Sequence, residues 1–211
     1  VAEAEARQAG LIVVTTHGRS GLGRWVFGSV TETILARSSV PVLVARAWSP
    51  PSPLVPPEGK TTIVVPLDGS PLAESALSQA EESARVLGGE ICLVRVISLP
   101  YISPDLDEEM GPIYDLAVRE ELERDARAYL TSIARRLSAT GLGVTSAVEF
   151  GNPAGTILTT ARERKAGLIV MATHGRTGLA QTLLGSVALE MLHRGDLPVM
   201  FVRGAAQPNA F

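Results

Sequence analysis

The feature that most constrains this chain is a stretch that occurs twice. Gly167-Leu-Ile-Val-Met-Ala-Thr-His-Gly-Arg-Thr-Gly-Leu closes downstream in Gly185-Ser186-Val187. It repeats Gly10-Leu-Ile-Val-Val-Thr-Thr-His-Gly-Arg-Ser-Gly-Leu, which closes in Gly28-Ser29-Val30. The copies align without a gap from Gly10 and Gly167 to Arg46 and Arg203, with about half of the positions identical. Solenoid repeats recur every 20–50 residues or so. The wider separation here reads as a duplicated domain.

Each copy opens on an apolar run, Leu168 to Met171 in the second. A short run with β-branched residues and no polar alternation predicts a strand buried on both faces, as in parallel sheets. The run stops at Thr173-His174-Gly175, and Leu179, Leu183, Leu184, Val187 and Met191 follow at helical spacing. A loop rich in Gly and Thr therefore joins the C-end of a buried strand to a helix. Backbone N–H groups at such a turn and at the helix start favour an anion, by about 0.3–1 kcal/mol per charge at the helix end. Spacing alone leaves two readings equally open: a phosphate cradle, or glycines that only start a helix.

The first copy reads as strand 11–15, helix 22–37 with Val26, Phe27, Val30, Ile34 and Leu35 on one face, and a strand from Val42 to Ala45. Residues 47–59 hold five prolines without apolar periodicity and read as a stiff linker. A longer alternation follows. Its strands are 62–66, 90–97, 144–150, 168–171 and 199–203; its helices are 71–87, 113–139, 153–165 and one ending near His193. Ser70 and Pro71 form an N-cap and first-turn pair, and Gly88-Gly89 ends that helix. Residues 205–211 form a tail. The order β-α-β-α-β-α-β-α-β predicts a doubly wound parallel sheet with helices on both faces. Ligands of such sheets bind beyond the strand C-ends where the strand order reverses.

Composition narrows the function. The chain has 211 residues, 45% hydrophobic and 19% charged, with a net charge of −3. No basic patch stands out, which disfavours a nucleic-acid partner. No apolar run approaches the roughly 18 residues of a membrane-spanning helix, so no membrane partner is expected. The single cysteine, Cys92, lies in an apolar run and reads as a buried thiol; together these predict a cytoplasmic protein. The Gly/Thr loop is neither a P-loop nor a dinucleotide fingerprint: no Gly-Lys-Ser/Thr follows it, and the second strand ends in Ile97-Ser98 without an acid. His17 and His174 precede the loop glycines, where a local hydrogen-bonding role fits better than catalysis or metal binding. No Cys/His/Asp cluster has metal-ligand spacing. Ser29 and Ser186 lack a nucleophile elbow and read as hydroxyl donors to phosphate. Asp105 to Glu109 is a solvated charge run, and helix 113–139 presents a solvent face with i,i+4 pairs. Asp68, at the end of strand 62–66, has two readings: a cap for the next helix, or a carboxylate facing the crevice.

These motifs together resemble the universal stress protein family. The carrying residues are Ala172-Thr173-His174-Gly175, nine residues, then Gly185-Ser186, with Ile63 to Ser70 at the start of the alternation and Pro198-Val199 near its end. The first copy has Thr15-Thr16-His17-Gly18, nine residues, then Gly28-Ser29. The resemblance divides the chain into 1–46, the C-terminal part of a first domain truncated at its N-terminus; the linker 47–59; a complete domain, 60–204; and the tail 205–211. It implies a flavodoxin-like, Rossmann-like five-stranded sheet of order 3-2-1-4-5, with ATP between the C-ends of strands 1 and 4. Carried over by position, Pro66, Asp68 and Val96 hold the adenosine and Met171 lies beside it. Gly175, Gly185, Ser186 and Val187 take the phosphates, and Arg176 adds a charge. The protein alone offers no metal site, and Asp68 is the carboxylate that would meet a magnesium ion carried by ATP. Gly18, Arg19, Gly28, Ser29 and Val30 form a second, incomplete cradle. One departure is visible: the first motif glycine is replaced by Ala172 and by Thr15, and a Cβ there narrows the approach of backbone to ligand.

The implied function is a stress-response regulatory protein binding ATP or a related adenine nucleotide. The alternative is a nucleotide-free dimeric interaction protein of the same family, and a slow ATPase comes third, since no general base stands out and no residue is assigned to catalysis. The last strand is an edge in the 3-2-1-4-5 order, and an open apolar edge invites pairing. Family members commonly dimerise through this strand. The chain is therefore expected to pair the strand from Val42 to Ala45 antiparallel with the strand from Val199 to Arg203, either within one chain as a pseudo-dimer or between chains in a homo-oligomer. The intrachain case predicts one seven-stranded sheet.

Overall fold

Five strands from the second part of the chain stand side by side in a single sheet, and two from the first part extend it at one end. The computed structural model describes residues 1–16, 29–46, 60–98, 111–173 and 184–204. Its strands are β1 (Ile12–Thr16), β2 (Val42–Arg46), β3 (Thr62–Pro66), β4 (Glu90–Ile97), β5 (Val144–Phe150), β6 (Ala166–Ala172) and β7 (Val199–Val202). Its helices are α1 (Ala2–Ala6), α2 (Ser29–Arg37), α3 (Pro71–Glu74), α4 (Leu77–Leu87), α5 (Gly111–Ser138), α6 (Pro153–Glu163) and α7 (Ser186–Arg194). The seven strands stand in the order β1-β2-β7-β6-β3-β4-β5. Counted from β3, the last five have the order 3-2-1-4-5 with every neighbour parallel.

The join between the two parts is β2 against β7. It is the antiparallel pair of the sheet, with Val42 opposite Phe201, Leu43 opposite Met200 and Val44 opposite Val199. β1 pairs in parallel with β2 and leaves the sheet there with an edge. The intrachain pairing expected of these strands is thus the observed one.

Alternation of side chains splits the core into two layers. Val64, Cys92, Val94, Ile169, Met171 and Phe201 face α6 and α7. Ile63, Val65, Ile91, Leu93, Leu168 and Val170 face α3, α4 and the later turns of α5. β6 is buried at all its positions, as a strand covered on both sides must be.

Local caps follow the sequence. Ser70 Oγ accepts the Ala73 N–H at 3.1 Å, with Pro71 in the first turn. Asn152 Oδ1 accepts the Gly155 N–H at 3.1 Å and starts α6 at Pro153. Gly88 ends α4 at φ +61°, a left-handed conformation that glycine takes without a Cβ clash.

Three expectations are corrected. The single helix over 71–87 is two, α3 and α4, parted at Ser75-Ala76. There the Ser75 hydroxyl donates to the Leu72 carbonyl at 2.6 Å, the Ser75 N–H is shared between the Pro71 and Leu72 carbonyls, and the Ala76 N–H reaches the Ala73 carbonyl three residues back. Such back-bonding tightens a turn and interrupts the α-helical ladder. The helix after the second Gly/Thr loop starts at Ser186, so Leu184 is buried ahead of it rather than within it; Leu179 and Leu183 lie outside the described residues. Val30 is 68% exposed, whereas Thr31 and Leu35 form the buried row of α2. Residues 17–28, 47–59, 99–110 and 205–211 lie outside the described residues, and with them the linker, the acidic run, the tail and most of the first cradle.

Candidate functional site

The strand order reverses between β3 and β6. Beyond the C-ends of β3, β4 and β6 lies a cavity of about 770 Å³, within the roughly 300–1,000 Å³ of small-molecule sites. It straddles the crest of the sheet, so the two layers give it two unlike walls.

The wall toward α6 and α7 is apolar. Pro66 ends β3, Val96 continues the Cys92/Val94 face of β4, and Met171 lies near the end of β6. Pro153 and Ile157 of α6 and Ala188 of α7 complete it. These are flat or aliphatic surfaces against which a planar base can lie.

The third side is the start of α7. Gly185 is its N-cap, and the first helical bond runs from the Leu189 N–H to the Gly185 carbonyl at 2.9 Å. The N–H groups of Ser186, Val187 and Ala188 precede that bond and have no partner within the helix ladder. Gly185, Ser186 and Val187 all line the cavity. Their position is set by Thr173, just after β6: its N–H donates to Val202 O at 3.0 Å, and its carbonyl accepts the Gly185 N–H at 2.8 Å. One residue thus ties the β7 end and the α7 start to the strand.

The wall toward α3 and α5 is polar. Asp68 and Gly69 follow β3, Arg95 continues the Ile91/Leu93 face of β4, and Leu122, Asp125 and Tyr129 come from α5. Asp68 Oδ1 accepts the Ser70 N–H at 2.9 Å and the Ser70 hydroxyl at 2.6 Å. The two readings of Asp68 are therefore compatible: it braces the turn into α3 and lines the crevice. Tyr129 donates its hydroxyl to Glu74 Oε1 at 3.1 Å, and Glu74 Oε2 meets Arg136 Nη2 at 3.2 Å. Burial and then the Glu74 carboxylate push the Tyr129 phenol above its ordinary value; the Arg95 charge works against this and Asp68 with it. Tyr129 is a neutral hydrogen-bond donor at any physiological pH.

Of the residues read from the sequence, the structure brings together Pro66, Asp68, Val96, Met171, Gly185, Ser186 and Val187 around this one cavity. Gly175 and Arg176, like His174, lie outside the described residues. So do Gly18, Arg19 and Gly28 of the first cradle; Ser29 starts α2, and Val30 stands exposed beside it. Ala172, which replaces the first motif glycine, is buried at the end of β6 and lines the cavity. The sequence reading missed Arg95, Asp125 and Tyr129. Arg95 carried a signal, since it is the charged residue within the apolar run 91–97. Helix 113–139 read as a solvent face, and the Arg127–Glu123 pair bears that out on one side. Its other side, Ala126, Leu130, Ile133 and Leu137, is buried. Among the described residues no group of three or more His, Cys, Asp or Glu side chains is arranged to hold a metal ion.

Comparison with known proteins decides the family. The model of the universal stress protein family matches residues 1–46 and 60–203. The chain belongs to this family. A universal stress protein of Mycolicibacterium smegmatis is 31% identical over 204 residues, covering 94% of this chain and 63% of that protein. One from Mycobacterium tuberculosis is 29% identical over 199 residues, with the same coverage of 94% and 63%. This universal stress protein sequence thus spans 63% of the length of those two relatives, less than two thirds. A shorter one from Methanocaldococcus jannaschii is 30% identical over 141 residues, covering 67% of this chain and 81% of that one. Among solved structures, a universal stress protein from Archaeoglobus fulgidus superimposes with a TM-score of 0.62 at 25% identity, over 94% of this chain and 64% of the other. The doubly wound α/β fold is thus the family's. No helix among the described residues is long and apolar enough to cross a membrane.

Proposed function

We propose that this universal stress protein is a stress-response regulator that binds ATP or a related adenine nucleotide in the cavity beyond β3 and β6. The observation that carries the reading is the pairing of an apolar wall, Pro66, Val96 and Met171, with the open start of α7 at Gly185-Ser186-Val187. An apolar slot suits a base, and a helix N-terminus suits phosphate. The cavity volume suits a nucleotide. Asp68, fixed by Ser70, faces the region between them and accepts ribose hydroxyls. Gly175 and Arg176 belong to the same reading by their place in the motif, as phosphate contacts.

The reading extends to the organisation of the chain: a partial first copy, 1–46, carrying the incomplete cradle of Gly18, Arg19, Gly28, Ser29 and Val30; a linker, 47–59; a complete copy, 60–204; and a tail. The family model's two matched segments support that division. Homo-oligomers and a cytoplasmic setting belong to the reading too; the buried free thiol of Cys92 suits a reducing compartment. Turnover is expected to be slow or absent, because no side chain around the cavity is assigned as a general base.

The test is calorimetry with ATP. The wild-type chain is expected to bind ATP, and Gly185→Val to lose that binding while keeping the fold. Gly185 has φ −57° and ψ 154°, a conformation open to any residue, so the branched side chain acts on the phosphate approach and not on the backbone. Absence of ATP binding to the wild type at millimolar concentration overturns the reading in favour of the nucleotide-free interaction protein.

A further inference from the structure

We infer that Glu74 is a positioning residue for the candidate site: its hydrogen bond with Tyr129 clasps the one-turn helix α3 to α5 and so fixes where Asp68 stands in the cavity. The inference rests on the adenine-nucleotide reading above. It adds to that reading a residue that is not among those lining the cavity.

α3 needs a tether of its own. It runs only from Pro71 to Glu74, and the break at Ser75-Ala76 parts it from α4. A single helical turn has little stability by itself. Ala73 is buried, but apolar contact is non-directional and does not set how the turn is rotated. Glu74 supplies the directed contact. Its Oε1 accepts the Tyr129 hydroxyl at 3.1 Å, and its Oε2 meets Arg136 Nη2 at 3.2 Å. The Arg136 side chain is 61% exposed, and an ion pair so open to water contributes little. The Tyr129 bond is the partly buried one, so it carries the clasp.

A short chain of bonds leads from Glu74 to Asp68. The Glu74 N–H donates to the Ser70 carbonyl at 3.1 Å. The Ser70 hydroxyl accepts the Ala73 N–H and donates to Asp68 Oδ1 at 2.6 Å, and the Ser70 N–H donates to the same oxygen at 2.9 Å. The carboxylate is thereby fixed relative to α3, and α3 relative to α5.

Arg95 packs against the same two elements. Its Cζ lies 5.6 Å from the centroid of the Tyr129 ring, within cation–π range. A Cβ built on Gly69, which has φ +82°, would stand 2.5 Å from Arg95 Nη1, and that nitrogen is shut off from solvent. The guanidinium is thus a buried spacer between α5 and the backbone of the residue after Asp68. It limits how closely the turn approaches α5, while Glu74 holds the turn from swinging away. Hydrogen bonds weaken steeply with distance and angle. A small swing of α3 therefore costs a ligand its bond to Asp68 and leaves the apolar wall and the start of α7 in place.

The test is a double-mutant cycle on ATP affinity, measured by calorimetry on the full chain as wild type, Glu74→Ala, Asp68→Ala and the double variant. Asp68→Ala is expected to weaken ATP about tenfold or more, the size of a lost hydrogen bond to a charged group. Glu74→Ala is expected to weaken ATP about threefold or more in the wild type, and less than about twofold once Asp68 is replaced, because nothing is then left to place. A general loss of structure would instead lower affinity by the same factor in both backgrounds. Tyr129→Phe removes the hydroxyl and keeps the ring against Arg95. It should show the same pattern, and it serves where Glu74→Ala melts too low. Asp68→Asn keeps the acceptor for Ser70 and serves likewise for Asp68→Ala. Equal factors in the two backgrounds, Glu74→Ala binding ATP as tightly as the wild type, or Asp68→Ala doing so, overturns the inference and leaves the nucleotide reading standing. A wild type that binds no ATP at millimolar concentration removes both.

Discussion

Tyr129 is a phenol in a wall otherwise made of charges and aliphatic carbon. Its proton is held by burial and by the carboxylate that accepts it, so its folded pKa lies above the ordinary value of 10.0. A group whose pKa is raised by folding contributes stability that is fully present below its unfolded pKa and is lost as pH rises toward the folded one. Here the unfolded chain releases the proton first, near pH 10, and gains free energy that the native state does not. The urea midpoint of the wild type should therefore fall relative to Tyr129→Phe as pH rises above about 10, and the difference between the two should be constant from pH 6 to 9. Parallel midpoints across the whole range would show that Tyr129 is not held in this way. The same hydroxyl orients Glu74 and, through the ring, Arg95, so one residue joins the stability of α3 and α5 to the shape of the site.

At the scale of elements, the antiparallel contact of β2 and β7 decides how residues 1–46 are held. Their own helix α2 and strands β1 and β2 are too few to bury a core alone. They are ordered by docking: Leu43 sits opposite Met200 and is 8% exposed, in the layer that contains Ile63 and Leu168. Leu43→Ala should weaken that docking by about 2–4 kcal/mol. Hydrogen exchange should then quicken at residues 42–44 and 12–16, while residues 62–66 and 90–97 stay protected. ATP affinity should persist, because the cavity is built from β3, β4, β6 and the helices around them and takes no described residue from β1 or β2. Uniform loss of protection over the whole sheet would mean that the two parts unfold as one unit.

At the scale of the molecule, one switch point is seen among the described residues. β6 and β3 meet around the cavity, but β1, the counterpart of β6, stands at the sheet edge with β2 as its neighbour. A cradle there lacks the strand that would bring a proline and an aspartate, so calorimetry should give one nucleotide per chain; a stoichiometry of two would contradict this. The edge has a second consequence. Leu11 and Val13 are exposed, Val13 at 59%, along an open strand. Open apolar edges pair with one another. Sedimentation of this 211-residue chain should therefore show concentration-dependent self-association, and Val13→Lys, which places a charge on the edge, should suppress it without changing ATP binding.

Much of this was legible before any coordinates. Strands covered on both faces are apolar nearly throughout, so β6 stood out as an unbroken run and β3 and β4 as largely apolar ones. Caps act over three or four residues, so Ser70-Pro71 and Gly88 marked a helix start and a helix end. Alternation of strand and helix implied a parallel sheet, and a parallel sheet puts its ligand site at the strand C-ends; Pro66, Asp68, Val96 and Met171 follow from that and from the resemblance. The break at Ser75-Ala76 was hidden because a hydroxyl's choice between solvent and a carbonyl leaves no periodic trace. Only the tertiary structure decided the polar wall. Which side of α5 meets the cavity depends on how Ala126, Leu130, Ile133 and Leu137 seat the helix on the sheet, and that rotation is a matter of packing between residues far apart in sequence. It brought Tyr129 under the Arg95 guanidinium and Asp125 to the same cavity. The order of residues along the chain thus determined the strands, the caps and the crest of the sheet, whereas the share of the cavity's polar wall that Asp125 and Tyr129 supply was set by the packing of one helix.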